Sequence, residues 1–266
     1  MLPAFDITGF NLTMTYEYPK NFARFYDLIY HQLRDGVDHD FFLNEIKQTS
    51  GKILEIGVGT GRFFIDALNL GADVYGIDIS ESMVNVLKSK LEKSQHHRIS
   101  IQNIINFRCD VQFDLIIAPF RILMHLLEKD DQIKALNNVY KHLKPNGRFI
   151  FDTFVPDLKQ LIKGLDNKID FEGEYEPGKK MKRIVSTKPE LINQVININF
   201  KLEWEEADKI KSEDWNLPLR FFFRYELEHL IERSEFETYK FYGDYHRNVL
   251  SEASKEFILI CQKNSN

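Results

Sequence analysis

Gly57, Gly59 and Gly61 alternate with other residues directly after the apolar run Ile53-Leu54-Glu55-Ile56 and just before a helical pattern. Bare backbone at such places turns tightly with φ > 0 and lets a ligand lie against the peptide, where a Cβ would keep it away. Glu55 is an acid two residues before this loop. The next apolar run, Val74 to Ile77, ends in a second acid, Asp78, followed by Ile79. Strand, glycine loop, helix, strand and acid is the order in which a carboxylate accepts hydrogen bonds from both hydroxyls of a ribose, so the spacing points to an adenosine-bearing ligand. The dinucleotide fingerprint needs glycine at the first, third and sixth places, and the sixth place counted from Gly57 is Arg62. Further on, His125 follows the apolar run Phe113–Phe120 and is the candidate for receiving a proton from a reacting group.

These residues need elements to hold them. Ile53–Ile56, Val74–Asp78, Phe113–Phe120 and Arg148–Phe151 read as strands of buried, parallel type, and apolar residues at helical spacing separate them. Alternation of strand and helix from Lys52 to Asp152 predicts a doubly wound α/β sheet with its ligand at the C-terminal strand ends. Ahead of it, Phe22, Phe25, Tyr26, Ile29 and Leu33 fall on one helical stripe, with Tyr30 at its edge. Tyr16, Tyr26 and Tyr30 are candidates for a lid over ligand or substrate. Beyond Pro156 the pattern turns to Asp170–Tyr175, Met181–Lys188 and Ile192–Trp204, strand-like runs joined by short turns, which predicts an inserted antiparallel sheet over the mouth of the site. The expected organisation is residues 1–169 for lid helices and core, 170–217 for the insert, and 218–266 for completion of the core sheet. Phe221–Arg224 reads as a strand, with Arg220 and Arg224 on one face.

Composition narrows the function. Net charge is −5, with 40 acids against 35 bases, which argues against a nucleic-acid partner. Lys179-Lys180-Met181-Lys182-Arg183 is a local basic run, read as a solvated hairpin. No run has the apolar length of a membrane span and the first residues lack a secretory pattern, so a cytoplasmic protein is expected. Cys109 and Cys261 lack metal-ligand or redox spacing and read as reduced thiols; no metal site is expected.

The acid-x-Gly-x-Gly-x-Gly loop resembles the first motif of the class I S-adenosylmethionine (SAM) dependent methyltransferases. Phe113-Asp114-Leu115-Ile116, the following helix, Leu143-Lys144-Pro145-Asn146-Gly147 and Arg148–Asp152 resemble the middle motifs of that superfamily. Within it, Phe22–Tyr30, Phe113–Leu126 and Arg220–Glu237 resemble the bacterial small-molecule branch, including sugar N-methyltransferases and glycine or sarcosine N-methyltransferases. The resemblance implies a Rossmann-like seven-stranded sheet, SAM as cofactor with S-adenosylhomocysteine as product, and methyl transfer to a small polar metabolite, at nitrogen rather than oxygen. It assigns cofactor binding to Glu55, Gly57, Gly59, Gly61, Asp78 and Ile79. The adenine places of the third strand fall on Asn103 and Ile104, where the family's acid is replaced by Asn; Asp110 competes for that role. His125, in a Met-His-Leu context like that of the sugar enzymes, becomes the catalytic candidate. Phe120, Arg121 and Arg224 join the tyrosines as substrate or lid candidates. A SAM-binding regulatory protein, an RNA methyltransferase and a homodimer stay open.

Overall fold

The computed structural model describes residues 17–33 and 36–265. Two helices open it, α1 (Lys20–Leu33) and α2 (Val37–Lys47). The chain then alternates: β1 (Lys52–Ile56), α3 (Phe64–Asn69), β2 (Asp73–Asp78), α4 (Glu81–Ser89), β3 (Ile99–Ile101), β4 (Phe113–Ala118), α5 (Lys129–His142), β5 (Leu143–Phe154) and α6 (Leu158–Lys163). Four long strands follow, β6 (Leu165–Glu176), β7 (Lys179–Glu190), β8 (Val195–Glu206) and β9 (Lys209–Arg220), before α7 (Arg224–Glu232), β10 (Thr238–Tyr242) and β11 (Glu256–Gln262) close the chain.

The main sheet has seven strands in the order β10-β11-β5-β4-β1-β2-β3, with β11 antiparallel to both neighbours. From β1 the chain winds outward through β2 to β3, then returns to β4 on the other side of β1 and winds on to β5. That reversal opens a crevice at the C-terminal ends of β1 and β4, the place where such sheets hold ligands. Period-two alternation sorts the side chains. Leu54, Ile116, Ala118, Phe149 and Phe151 pack with α5 and α7, whereas Ile53, Leu115, Ile117 and Ile150 pack with α2, α3 and α4.

The second sheet is antiparallel, in the order β6-β7-β8-β9. It begins at Leu165 and ends at Arg220, wider on both sides than the expected 170–217, and holds a fourth strand absent from the sequence reading. The reason is the turn before β9. Ala207 and Asp208 both adopt positive φ, 50° and 59°, the geometry of a two-residue hairpin turn, without the Asn-Gly type of signal that announces it. Pro218 within β9 also reads against a strand, but β9 is an edge, where a missing N–H is tolerated. Phe22, Phe25 and Ile29 of α1 pack on Phe171, Met181, Phe200, Leu202 and Trp204, a third apolar cluster between α1 and this sheet.

The expected strand Phe221–Arg224 is absent. Phe221 and Phe222 are both buried, which alternation forbids, and Arg224 starts α7. The basic run begins β7 and is largely neutralised, by Lys179–Glu176, Lys182–Glu203 and Arg183–Asp170 ion pairs. No helix among the described residues is long and apolar enough to cross a membrane.

Candidate functional site

The crevice opens into a cavity of about 1310 Å³ bounded by the strand ends of the main sheet, by α1, and by β8 and β9 of the second sheet. Its floor is the glycine loop, with φ of 72°, 54° and 93° at Gly57, Gly59 and Gly61. Gly57 and Gly59 line the cavity; Gly61 does not. A Cβ on Gly59 would meet nothing closer than Met83 at 3.6 Å, so the protein leaves room above it, whereas a Cβ on Gly61 would lie 2.3 Å from Leu87. The third glycine therefore serves the packing of α3 against α4, not the ligand contact assigned to it from sequence.

Four of the loop's donors are turned inward. Gly57 and Val58 N–H both bond to Ile77 O (2.8 and 3.0 Å), Gly61 N–H to Val58 O (2.9 Å) and Gly59 N–H to Asp78 Oδ2 (2.8 Å). A pyrophosphate cradle presents free N–H groups to its ligand; this loop presents a smooth backbone surface.

Asp78 lies at the edge of the loop, with Oδ1 accepting from Ser80 N–H (2.8 Å). Burial raises its pKa, partly offset by hydrogen bonds from Ser80, Gly59 and Ile79. Each carboxylate oxygen keeps a second lone pair for a ligand hydroxyl. Glu55 differs. It is 2% exposed, lies beneath the loop instead of on the cavity wall, and its Oε2 is buried without a hydrogen-bond partner among the described residues. Burial, reinforced by the charge of Asp78, pushes its pKa well above the ordinary range.

Ile79, Met83, Asn103 and Ile104 line the cavity next to Asp78. Asn103 spends its Oδ1 on Ile105 N–H (3.0 Å), capping its own turn. Asp110 is exposed and off the cavity.

At the other end, Phe120 and Arg121 line the cavity with consecutive left-handed backbone, φ 63° and 66°. Two non-glycine residues in that region mark a strained corner. It turns the chain from β4 into a 3₁₀ turn, Ile122–His125, which brings His125 to the cavity. His125 is half-buried there, and this desolvation lowers its pKa to about 4, with no offsetting hydrogen bond or charge among the described residues. Tyr26 and Tyr30 face the cavity from α1, with ring centroids 4.4 Å apart and Tyr30 edge-on to Phe120 at 5.3 Å. Tyr16 lies outside the described residues. Arg224 is off the cavity, paired with Glu228 one helical turn away (2.7 Å), so its assignment as a substrate or lid residue does not hold.

Sequence reasoning missed three parts of the wall. Glu17 reaches across to the start of α4, accepting from Glu81 N–H (2.8 Å), Ser82 N–H (2.8 Å) and Ser80 Oγ–H (3.1 Å). Burial raises its pKa, but these hydrogen bonds outweigh that and hold the carboxyl below its ordinary value. Tyr18 then meets Trp215 of β9 at 4.3 Å between ring centroids. Trp215, Leu217 and Leu219 form the second part; their period-two spacing was a usable strand signal. The third is Tyr245 and Glu256 on the wall, with Asp152 behind them; they join Arg121, which the sequence did offer, but come from distant segments with no pattern to link them.

Residues 53–147 match the family model for a methyltransferase domain. That segment carries a methyltransferase domain. A glycine/sarcosine N-methyltransferase of Parasynechococcus marenigrum is 26% identical over 237 residues, 87% of this chain and 80% of its own. The Bacillus subtilis protein YqeM is 31% identical over 130 residues, 47% of this chain and 52% of its own. The chain thus spans about half the length of the first curated relatives it matches. Among solved structures, an S-adenosylmethionine-dependent methyltransferase of Clostridium acetobutylicum superposes with TM-score 0.73 at 19% identity, covering 92% of this chain and 98% of that one. The sugar N-methyltransferase KedS8 of Streptoalloteichus superposes with TM-score 0.70 at 15% identity, covering 99% and 98%. The fold of the methyltransferase domain here is that of the SAM-dependent enzymes, whose cofactor is SAM. The site fits that molecule: bare backbone above Gly59, a carboxylate with spare lone pairs at Asp78, and apolar walls at Ile79, Met83 and Ile104.

Proposed function

We propose that this chain is a SAM-dependent methyltransferase acting on a small polar amine. The observation that carries this reading is the glycine loop with its N–H groups satisfied internally, Asp78 at its edge, and a cavity running from it to His125. Gly57 and Gly59 would bear the amino-acid part of the cofactor, Asp78 its ribose hydroxyls, and Ile79, Met83, Asn103 and Ile104 its base. SAM would supply an activated methyl group: the acceptor lone pair would form the new bond to carbon as the carbon–sulfur bond breaks and its electron pair leaves with sulfur, and the methylated ammonium would give its extra proton to solvent water on release.

What remains for the protein is orientation and exclusion of water. Tyr26, Tyr30 and Phe120 close the middle of the cavity with rings. A neutral imidazole with a pKa of about 4 is too weak a base to strip a hydroxyl, yet it accepts a hydrogen bond well. A neutral amine is nucleophilic without a base, so His125 suits nitrogen better than oxygen. Charge agrees: Glu17, Asp38, Asp78, Asp214, Asp244 and Glu256 line the cavity against Arg121 and Lys255, a setting that draws cations and repels polyanions.

Calorimetry tests the first step. S-adenosylhomocysteine should bind and NADH should not, and Asp78→Ala should weaken binding by about 1.5–3 kcal/mol, the scale of hydrogen bonds to a charged group. Binding of NADH in place of S-adenosylhomocysteine would sink the proposal.

A further inference from the structure

A primary amine that attacks a methyl carbon has one lone pair and two N–H bonds. The lone pair has a defined direction only if both N–H groups are held, and in-line displacement tolerates little misalignment. On the reading above, His125 offers one acceptor on the cavity wall. A second lies on the loop between β10 and β11.

Tyr245 lines the cavity, and its hydroxyl donates to Asp152 Oδ2 at 3.0 Å. With the phenolic hydrogen committed, the hydroxyl offers the cavity its lone pairs. Asp152 is 1% exposed and oriented by Arg121 N–H, which donates to Oδ1 (3.3 Å). Arg121 is itself paired with Glu256 (2.9 Å). The tyrosine ring sits against Phe41 and Phe42, with centroids 5.7 and 6.4 Å away. Its loop is pinned by an ion pair from Arg247 to the buried Glu45, which Arg148 also holds (2.5 Å). Burial and the carboxylates of Asp152 and Glu256 raise the phenol's pKa, so it stays protonated. Hydrogen bonding on this scale, to a fixed group with its own proton assigned, is a means of aiming a nucleophile.

We propose that Tyr245, held by Asp152, is a second acceptor-contacting residue that receives one N–H of a primary amine while His125 receives the other, leaving the lone pair directed at the transferred methyl. No proton changes hands at Tyr245 in this role. The inference rests on the amine-methylating reading above and adds a consequence to it: a secondary amine has one N–H and needs Tyr245 less, so the residue favours the first methylation over the second.

The test is Tyr245→Phe, which keeps the ring against Phe41 and Phe42. Transfer from labelled SAM is measured to glycine, ethanolamine and glucosamine and to the N-methyl derivative of each. The variant should lose about tenfold in kcat on primary amines, the scale of one hydrogen bond, and clearly less on their secondary counterparts, with S-adenosylhomocysteine affinity unchanged. The primary-to-secondary ratio is taken within one enzyme preparation, so any loss of folded protein cancels. Equal losses on both members of each pair, or no loss, would overturn the role of Tyr245 and leave the methyltransferase reading standing. Failure of the wild type to methylate any amine in the panel, with S-adenosylhomocysteine bound, would instead overturn the amine reading and this inference with it.

Discussion

The two ends of the cavity are built in opposite ways. The cofactor end is made of backbone, one carboxylate and apolar side chains from a continuous stretch, Gly57 to Ile104, and the glycine loop bonds to Ile77 and Asp78, and Asp78 to Ser80, within that stretch. The acceptor end is made of side chains from Arg121 and His125, from β8 and β9, and from Tyr245 and Glu256. Local geometry suffices for the first, because a strand, a tight turn and a helix bring neighbours in sequence together. The second depends on the closing of the whole sheet and the docking of another one over it. A common ligand with a varied partner calls for this division: one end constant, the other free to differ.

The largest expected effects separate roles within the glycine loop. Gly59→Val should abolish S-adenosylhomocysteine binding in calorimetry, because its side chain would enter the ligand's space from a backbone at φ 54°. Gly61→Val should instead lower the melting temperature, since its Cβ would meet Leu87 and Ile65. If both variants lost binding while keeping stability, the two glycines would share one role.

His125→Ala breaks the other end. It should lower kcat by about tenfold, the scale of one hydrogen bond to the reacting nitrogen, with cofactor affinity unchanged. A loss confined to acceptor KM would mean that His125 only docks the substrate.

The smallest effect concerns pH. The folded pKa of His125, about 4, lies below its ordinary 6.5. The unfolded chain therefore binds the proton first, and stability from this residue is full above pH 6.5 and lost as pH falls towards 4. Between pH 7 and pH 5 that amounts to about 2 kcal/mol. Urea unfolding of wild type and His125→Gln at both pH values isolates it, since other titrating groups are common to the two. Equal losses in the two proteins would show that the imidazole is not desolvated.

Much of the main sheet was legible in the sequence because its signals are local: apolar runs, a glycine loop, an acid at a strand end and a capping Ser80, whose side chain accepts from Met83 N–H. Gly57, Gly59, Asp78, Ile79, Asn103 and Ile104 sit together on the wall for the same reason. Where two roles share one signal, sequence alone could not divide them. Gly61 and Glu55 belong to the motif, yet one packs helices and the other is buried beneath the loop, because a motif records spacing and says nothing about which side of the backbone meets solvent. Arg224 was misplaced because an Arg-Phe-Phe-Phe-Arg run has the composition of a strand, while burial of both Phe221 and Phe222 ends alternation there.

Tertiary structure alone decided the rest. Asp152 and Tyr245 are 93 residues apart and meet only because β11 inserts antiparallel beside β5 and carries the preceding loop over its end. Trp215 reaches Tyr18 only because α1 buries its apolar stripe on the second sheet, a stripe that in sequence could have faced any layer. Periodicity determines that a face is apolar, and hence that it will be buried. Which face it meets is settled by the packing of the whole chain, and in this protein that choice places the residues at the acceptor end.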